Sequence, residues 1–166
     1  KSAALPGAKI YPPTLTNSDL ANIKIANEMG VTGVMQPFVR DHSDLECVKE
    51  ALREAGAEDI RLFAKIENMD GVRKLEKLLP AADEIVIARG DLGNAVHLWD
   101  LPGVQRQIAE KCRAAGKPFM VVTQMLASME RSPVPTRAEV NDIFHAVMDG
   151  AASIMVTGET AVGDYP

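Results

Sequence analysis

Phe63-Ala64-Lys65-Ile66-Glu67 and Ile85-Val86-Ile87-Ala88-Arg89-Gly90-Asp91-Leu92-Gly93 are two short apolar runs that each end in charge. Runs of this length, rich in β-branched residues, mark buried parallel strands. Alternate side chains of a strand share a face, so Lys65 is expected to point with Glu67, and Arg89 with Asp91. A charge at the end of a buried strand is costly unless it is paired or holds an ion. Two adjoining strands of this kind gather two carboxylates and two cations in one small volume. That is the composition of a site that grips a metal and an anion together. Ion pairs closing the rim of a barrel would leave the same trace. The carboxyl ends of strands, where α/β proteins carry their chemistry, favour a site.

On either side the chain alternates strand and helix. Asn17-Ser18-Asp19 offers a cap to a helix with Leu20, Ile23 and Ala26 at helical spacing, ending at Gly30. Residues 31–39 form the first expected strand, stopped by Pro37, which cannot donate a ladder bond. Ser43-Asp44-Leu45-Glu46 reads as a capping box for a helix that Gly56 closes. A strand at 60–67 follows, then a helix at 71–79 before Pro80, a strand at 84–89 and a helix at 105–115 before Gly116. The last elements are a strand at 118–123, a helix at 136–148 opened by the box Thr136/Glu139, and a strand at 153–157. Such units, about 25 to 35 residues apart, are the signature of βαβ crossovers in a parallel sheet. Right-handed crossovers put all the strand ends on one edge. A closed eight-stranded barrel takes about 250 residues, so the sheet is either open and doubly wound or one part of a barrel.

At 166 residues the chain is sized for one domain with a real core. Hydrophobic residues make up 46% and aromatics only 4%, so that core is mostly aliphatic. The net charge is −5 and no basic patch is interleaved with aromatics, which argues against a nucleic-acid partner. No apolar run is long enough to cross a membrane, and there is no signal-peptide pattern. Cys47 and Cys112 match no metal spacing and read as buried thiols in a reducing compartment. A start at Lys1-Ser2, without an initiator Met, is expected of a piece of a longer chain.

Glu67 and Asp91 together suit Mg²⁺ or Mn²⁺, hard ions that take one or two carboxylates plus substrate oxygens and water. His42, His97 and His145 show no ligand spacing and read as surface or packing residues. Gly90-Asp91-Leu92-Gly93 lets the backbone turn tightly, and a helical turn begun there would offer its amides to a carboxylate or phosphate. Thr123, at the end of the fourth strand, either bonds a substrate or simply closes the strand. Thr136 and Glu139 read as a cap rather than a site. Thr157-Gly158-Glu159-Thr160 either contacts phosphates through its amides or turns the chain. Met120, Met125, Met129, Met148 and Met155 read as fillers of core gaps.

Several strings resemble pyruvate kinase, in that family's order and at its spacing. They are Ala64-Lys65-Ile66-Glu67-Asn68, Ala88-Arg89-Gly90-Asp91-Leu92-Gly93, Ala115-Gly116-Lys117-Pro118, Thr123-Gln124-Met125-Leu126, Pro135-Thr136-Arg137-Ala138-Glu139 and Thr157-Gly158-Glu159-Thr160. Leu5-Pro6-Gly7 looks like the return of that enzyme's chain from its lid domain, and Gly163-Asp164-Tyr165-Pro166 like the loop after its last barrel strand. The resemblance implies an α/β fold, a partial TIM (β/α)8 barrel of about five βα units around a parallel sheet. Residues 1–166 would form one partial barrel domain, with an opening loop at 1–17 and βα units over 18–166, and without the family's lid and carboxyl-terminal effector domains.

The implied activity is phosphoryl transfer between phosphoenolpyruvate and ADP, giving pyruvate and ATP in glycolysis. Lys65 would meet the transferring phosphoryl group and the enolate oxygen. Glu67 and Asp91 would hold Mg²⁺ or Mn²⁺. The Gly90 and Asp91 amides and Thr123 would seat the substrate carboxylate, with Thr123 near the proton given to the enolate, and Arg89 would brace the site. Thr157 and Glu159 would face the nucleotide phosphates. K⁺ would be bound by early strands outside this chain. The intact protein would be a cytoplasmic homo-oligomer, and the 166 residues alone would not turn over. Gln36-Pro37, Asn94-Ala95-Val96 and Phe144-His145 depart from the family's usual residues, as expected of a divergent member. Two rivals remain at this stage. One is a metal-dependent aldolase-type lyase acting on a pyruvate enolate, which needs no nucleotide. The other is a non-catalytic binding module, whose bare strand edges would pair with other chains.

Overall fold

Five parallel strands lie side by side in the computed structural model, which describes residues 12–166. They are β1 (Gly33–Gln36), β2 (Arg61–Ile66), β3 (Glu84–Ala88), β4 (Phe119–Val122) and β5 (Ser153–Met155). Their spatial order is their chain order, each strand paired to the next. A doubly wound sheet reverses its order at a switch point. This one never does, so the sheet is an arc of a barrel. The expected return segment Leu5-Pro6-Gly7 lies outside the described residues.

Between the strands run α1 (Asn17–Lys24), α2 (His42–Glu54), α3 (Met69–Arg73), α4 (Leu75–Leu78), α5 (Arg89–Ala95), α6 (Leu101–Ala114), α7 (Arg137–Met148) and α8 (Gly158–Ala161), with a 3-10 turn at Ala127–Glu130. The helices cover one face of the sheet. Leu62, Ala64 and Ile66 of β2, Ile85 and Ile87 of β3, and Phe119 and Val121 of β4 are buried there against Leu45, Val48, Leu75, Leu78, Ile108 and Cys112. Each fully buried Leu or Ile contributes about 1.5–3 kcal/mol relative to exposure. The other face carries a smaller cluster of Val86, Ala88 and Val122, with Phe63, Met120 and Met155 half-buried around it. A chain of polar contacts closes the amino-terminal end of that face. Arg61 reaches Glu84 at 3.2 Å, Ser153 donates to Glu84 at 3.0 Å, and the Arg61 guanidinium lies over the Phe63 ring.

Several expected boundaries move, for local reasons. The cap of α1 is Thr16, not the Asn17–Asp19 group, because Thr16 and Asp19 exchange backbone and side-chain bonds as a capping box. The cap of α2 is Asp41, with Asp44 rather than Glu46 completing the box. Asp44 also accepts Arg40 and Thr14, so a buried carboxylate ties the end of β1 to the start of α2. The helix expected over 71–79 is two short ones, interrupted at Lys74. The α6 helix begins earlier than expected, with Pro102 in its first turn, where a missing N–H costs nothing. Thr136 and Glu139 form the expected box at the start of α7. Cys112 is buried, and desolvation pushes its thiol up to about 12. Cys47 is exposed, against expectation, because it lies on the outer side of α2, whose Leu45, Val48 and Leu52 face the core. Met125 is buried as expected, whereas Met148 is 65% exposed at the end of α7.

Candidate active site

The strand β2 stays extended to its end, so Lys65 and Glu67 do share a face. Their Nζ and Oε1 atoms are 2.8 Å apart. The Glu67 side chain is 2% exposed and Lys65 26%, so the carboxylate is buried and the ammonium reaches toward solvent. Oε2 of Glu67 accepts the Phe38 N–H at 2.7 Å. Phe38 has φ of 52°, a left-handed conformation uncommon for a non-glycine, and Pro37 just before it ends β1. This bend at the end of β1 turns a backbone amide onto the carboxylate of the neighbouring strand. No side-chain pattern announces such a donor, and the sequence reading missed it.

Arg89 and Asp91 behave differently. The expected extension of β3 through Arg89 is corrected: the strand ends at Ala88 and Arg89 opens α5. On a helix, residues two apart diverge by about 200°, so Arg89 and Asp91 do not share a face. Asp91 is exposed, in the first turn of α5, and its side chain forms no hydrogen bond or ion pair among the described residues. Arg89 turns the other way. Its Nη1 donates to both oxygens of Asp142 at 2.8 and 2.6 Å, and its Nη2 to the Thr123 carbonyl at 2.6 Å and toward Met125 Sδ at 2.9 Å.

Thr123 lies just beyond β4 with φ of 82°, followed by Gln124 at 55°. For a β-branched residue this is a true outlier, costing about 1–3 kcal/mol. A charge-assisted hydrogen bond of about 1.5–3 kcal/mol, such as that from Arg89, is of the size needed to hold it. The Thr123 side chain packs over α5, where a Cβ on Gly90 would stand 3.1 Å from Thr123 Cγ2 and 3.5 Å from its hydroxyl. Glycine at position 90 is what allows this approach. Arg89, Gly90, Thr123, Gln124 and Asp142 line an open cleft of about 390 Å³ together with Asn94, Leu98 and Leu101.

Carboxylates also lace the loops beyond β4 and β5. Glu159 is 5% exposed and accepts the Leu126 N–H at 2.9 Å and the Thr157 N–H at 2.7 Å. Burial pushes its carboxyl up, but the Thr157, Glu159 and Leu126 amides outweigh it and hold the group below the ordinary range. Glu139 accepts from the backbone and hydroxyl of both Ser128 and Thr136. Against the opposing effect of burial, these bonds bring its carboxyl down to about 2. Thr157 itself is exposed. Among the expected residues, therefore, Lys65 pairs with Glu67, Arg89, Gly90 and Thr123 meet in one cleft, and Asp91 and Thr157 stand open to solvent. His42, His97 and His145 are on the surface, as expected, with His97 stacked on Trp99.

Carboxylate oxygens are the donors that a hard divalent cation takes, and Glu67 and Asp91 each offer them. Glu67 is preorganised with a second lone pair on each oxygen, and Asp91 is without a protein partner. No cluster of three or more His, Cys, Asp or Glu residues occurs among the described residues, and a Mg²⁺ site completed by substrate and water needs none.

Residues 1–166 match the family described as "Pyruvate kinase, barrel domain". The chain belongs to the pyruvate kinase family. It is 42% identical over its whole length to the pyruvate kinase of Bacillus licheniformis and 43% identical to that of Dictyostelium discoideum. To the pyruvate kinase of Geobacillus stearothermophilus it is 41% identical, again over its full 166 residues. It spans 28%, 32% and 28% of those three relatives, so about a third of a pyruvate kinase is in hand. Among the described residues no helix is long and apolar enough to cross a membrane.

Proposed function

We propose that the protein carrying this chain transfers the phosphoryl group of phosphoenolpyruvate to ADP, giving pyruvate and ATP, as a cytoplasmic, homo-oligomeric enzyme of glycolysis. The observation that supports this most is the buried Glu67 carboxylate, held by Lys65 at 2.8 Å, on the strand next to the one that leads into Arg89 and Gly90. Phosphoryl transfer breaks the bond between phosphorus and the enol oxygen. The electrons left on that oxygen form an enolate, which takes a proton at its terminal carbon. A fixed ammonium stabilises this developing charge most when it needs no reorganisation, in a site drier than bulk water. Lys65 is assigned that task. The Gly90 and Asp91 amides and the Thr123 hydroxyl seat the substrate carboxylate, with Thr123 beside the carbon that is protonated. Arg89 braces them.

Glu67 and Asp91 are assigned to a divalent cation, Mg²⁺ or Mn²⁺, which when bound supplies positive charge to the phosphoryl and enolate oxygens. Thr157 faces the nucleotide phosphates, and Glu159 sets the shape of that loop. K⁺ binding and part of the phosphate site fall to regions outside this chain, so the 166 residues alone do not turn over. A coupled assay tests the reading. The intact protein is expected to form pyruvate and ATP with dependence on ADP and a divalent ion, and the isolated chain to form none. Pyruvate enolisation or aldol cleavage without any nucleotide dependence would replace this reading with that of a lyase.

A further inference from the structure

Asp142 lies midway along α7, 53 positions from its partner Arg89, and lines the same cleft as Thr123. The guanidinium is a rigid planar fork, so what fixes one edge fixes the other. Asp142 takes the Nη1 edge with both carboxylate oxygens, and this leaves Nη2 aimed at the Thr123 carbonyl. Thr123 lies past Val122, the last residue of the β4 ladder, so neither neighbouring strand holds its left-handed backbone. Rotation about φ turns the carbonyl and the hydroxyl-bearing side chain of one residue together, and φ is the torsion that is unusual at Thr123.

We propose that Asp142 is a positioning residue for the reaction: by orienting Arg89 it fixes the Thr123 carbonyl, and through it the direction in which the Thr123 hydroxyl faces the cleft. This rests on the assignment of Thr123 to enolate protonation. Asp142 itself touches neither substrate nor reacting atoms. Its loss should therefore slow the chemistry more than it weakens substrate binding, and only while the Thr123 hydroxyl is there to be misplaced.

The test uses the intact protein and five forms: wild type, Asp142→Asn, Asp142→Ala, Thr123→Ala and the double variant Thr123→Ala/Asp142→Ala. Steady-state turnover of phosphoenolpyruvate is measured alongside exchange of the pyruvate methyl protons into D₂O by NMR. Asp142→Ala is expected to lower kcat and the exchange rate by about 10- to 100-fold, the scale of a small misplacement. KM for phosphoenolpyruvate should change by less than about threefold, the split expected when a transition-state interaction is lost. Asp142→Asn, which keeps one acceptor oxygen, should fall between Asp142→Ala and wild type. The double variant should be no slower than Thr123→Ala alone, the non-additivity of residues acting through one another. A silent Asp142→Asn, or effects of Asp142→Ala and Thr123→Ala that multiply, would overturn the inference. If the alanine variant does not fold, the near-isosteric Asn variant, alone and combined with Thr123→Ala, carries the same test. A wild-type protein without turnover would instead overturn the functional reading beneath it.

Discussion

Strands β2 and β3 end in the same pattern, a cation and a carboxylate two residues apart, and put it to opposite uses. On β2 the chain remains extended, so Lys65 and Glu67 meet at 2.8 Å and the carboxylate is buried. On β3 the chain turns into α5 at once, so Arg89 swings to Asp142 and Thr123 while Asp91 faces solvent alone. Spacing in sequence becomes spacing in space only through the backbone between. One end makes a preorganised charge pair, and the other leaves a carboxylate exposed and unpaired.

That contrast can be broken most severely at Lys65. Lys65→Met in the intact protein should lower kcat by at least about 100-fold in a coupled assay, the cost of removing one preorganised charge from the reacting oxygens. The two carboxylates should then part company. Glu67→Gln is expected to destabilise the fold by about 2 kcal/mol in urea titration, because it strands a partly buried ammonium, and also to weaken Mn²⁺ binding. Asp91→Asn should weaken Mn²⁺ binding while leaving stability within about 0.5 kcal/mol, since no protein contact is lost.

The glycines of α5 give a finer contrast. Gly90→Ala brings a methyl to 3.1 Å from Thr123 Cγ2 and should cost about 1 kcal/mol or more in thermal unfolding. Gly93→Ala meets only Leu101 Cδ2 at 3.5 Å and should be neutral or stabilising by about 0.5 kcal/mol.

A pH dependence lies away from both strand ends. Asp44 is desolvated, but its bonds from Arg40 and Thr14 bring it from the ordinary 3.8 to about 2, and Glu139 falls from 4.5 to about 2. A carboxyl depressed in the folded state stabilises fully above its unfolded value and ceases to do so as pH falls through its folded value. Stability followed by circular dichroism should therefore decline between about pH 4.5 and 2, and less steeply in Asp44→Asn and Glu139→Gln.

Much of this was legible in the residues. The rhythm of apolar runs and caps gave five βα units, and the two-residue period of the strand at β2 placed Lys65 with Glu67. The motif strings named the family that the match over residues 1–166 bears out. The choice between an open doubly wound sheet and a barrel arc was left open by the residue pattern, because strand order is a matter of long-range pairing. The face of Asp91 was misjudged because an apolar run does not say whether its last charged residues are still extended. Asp142 escaped notice because nothing near it in sequence signals a partner 53 positions away. The Phe38 amide escaped because a backbone N–H is common to nearly every residue, and only the turn after Pro37 aims it.

The Glu159 and Glu139 carboxylates have a consequence for how the loops beyond β4 and β5 move. Glu159 grips an amide from each of two successive loops, and the Glu139 carboxylate, which accepts the Ser128 and Thr136 N–H groups, ties the first of these to the start of α7. These segments are thereby harnessed like slats on a common cord. A pull on the Thr157 loop would tug the Leu126 segment, and with it the end of β4 that carries Thr123. A displacement of one loop would be felt at the other without any rearrangement of the apolar core.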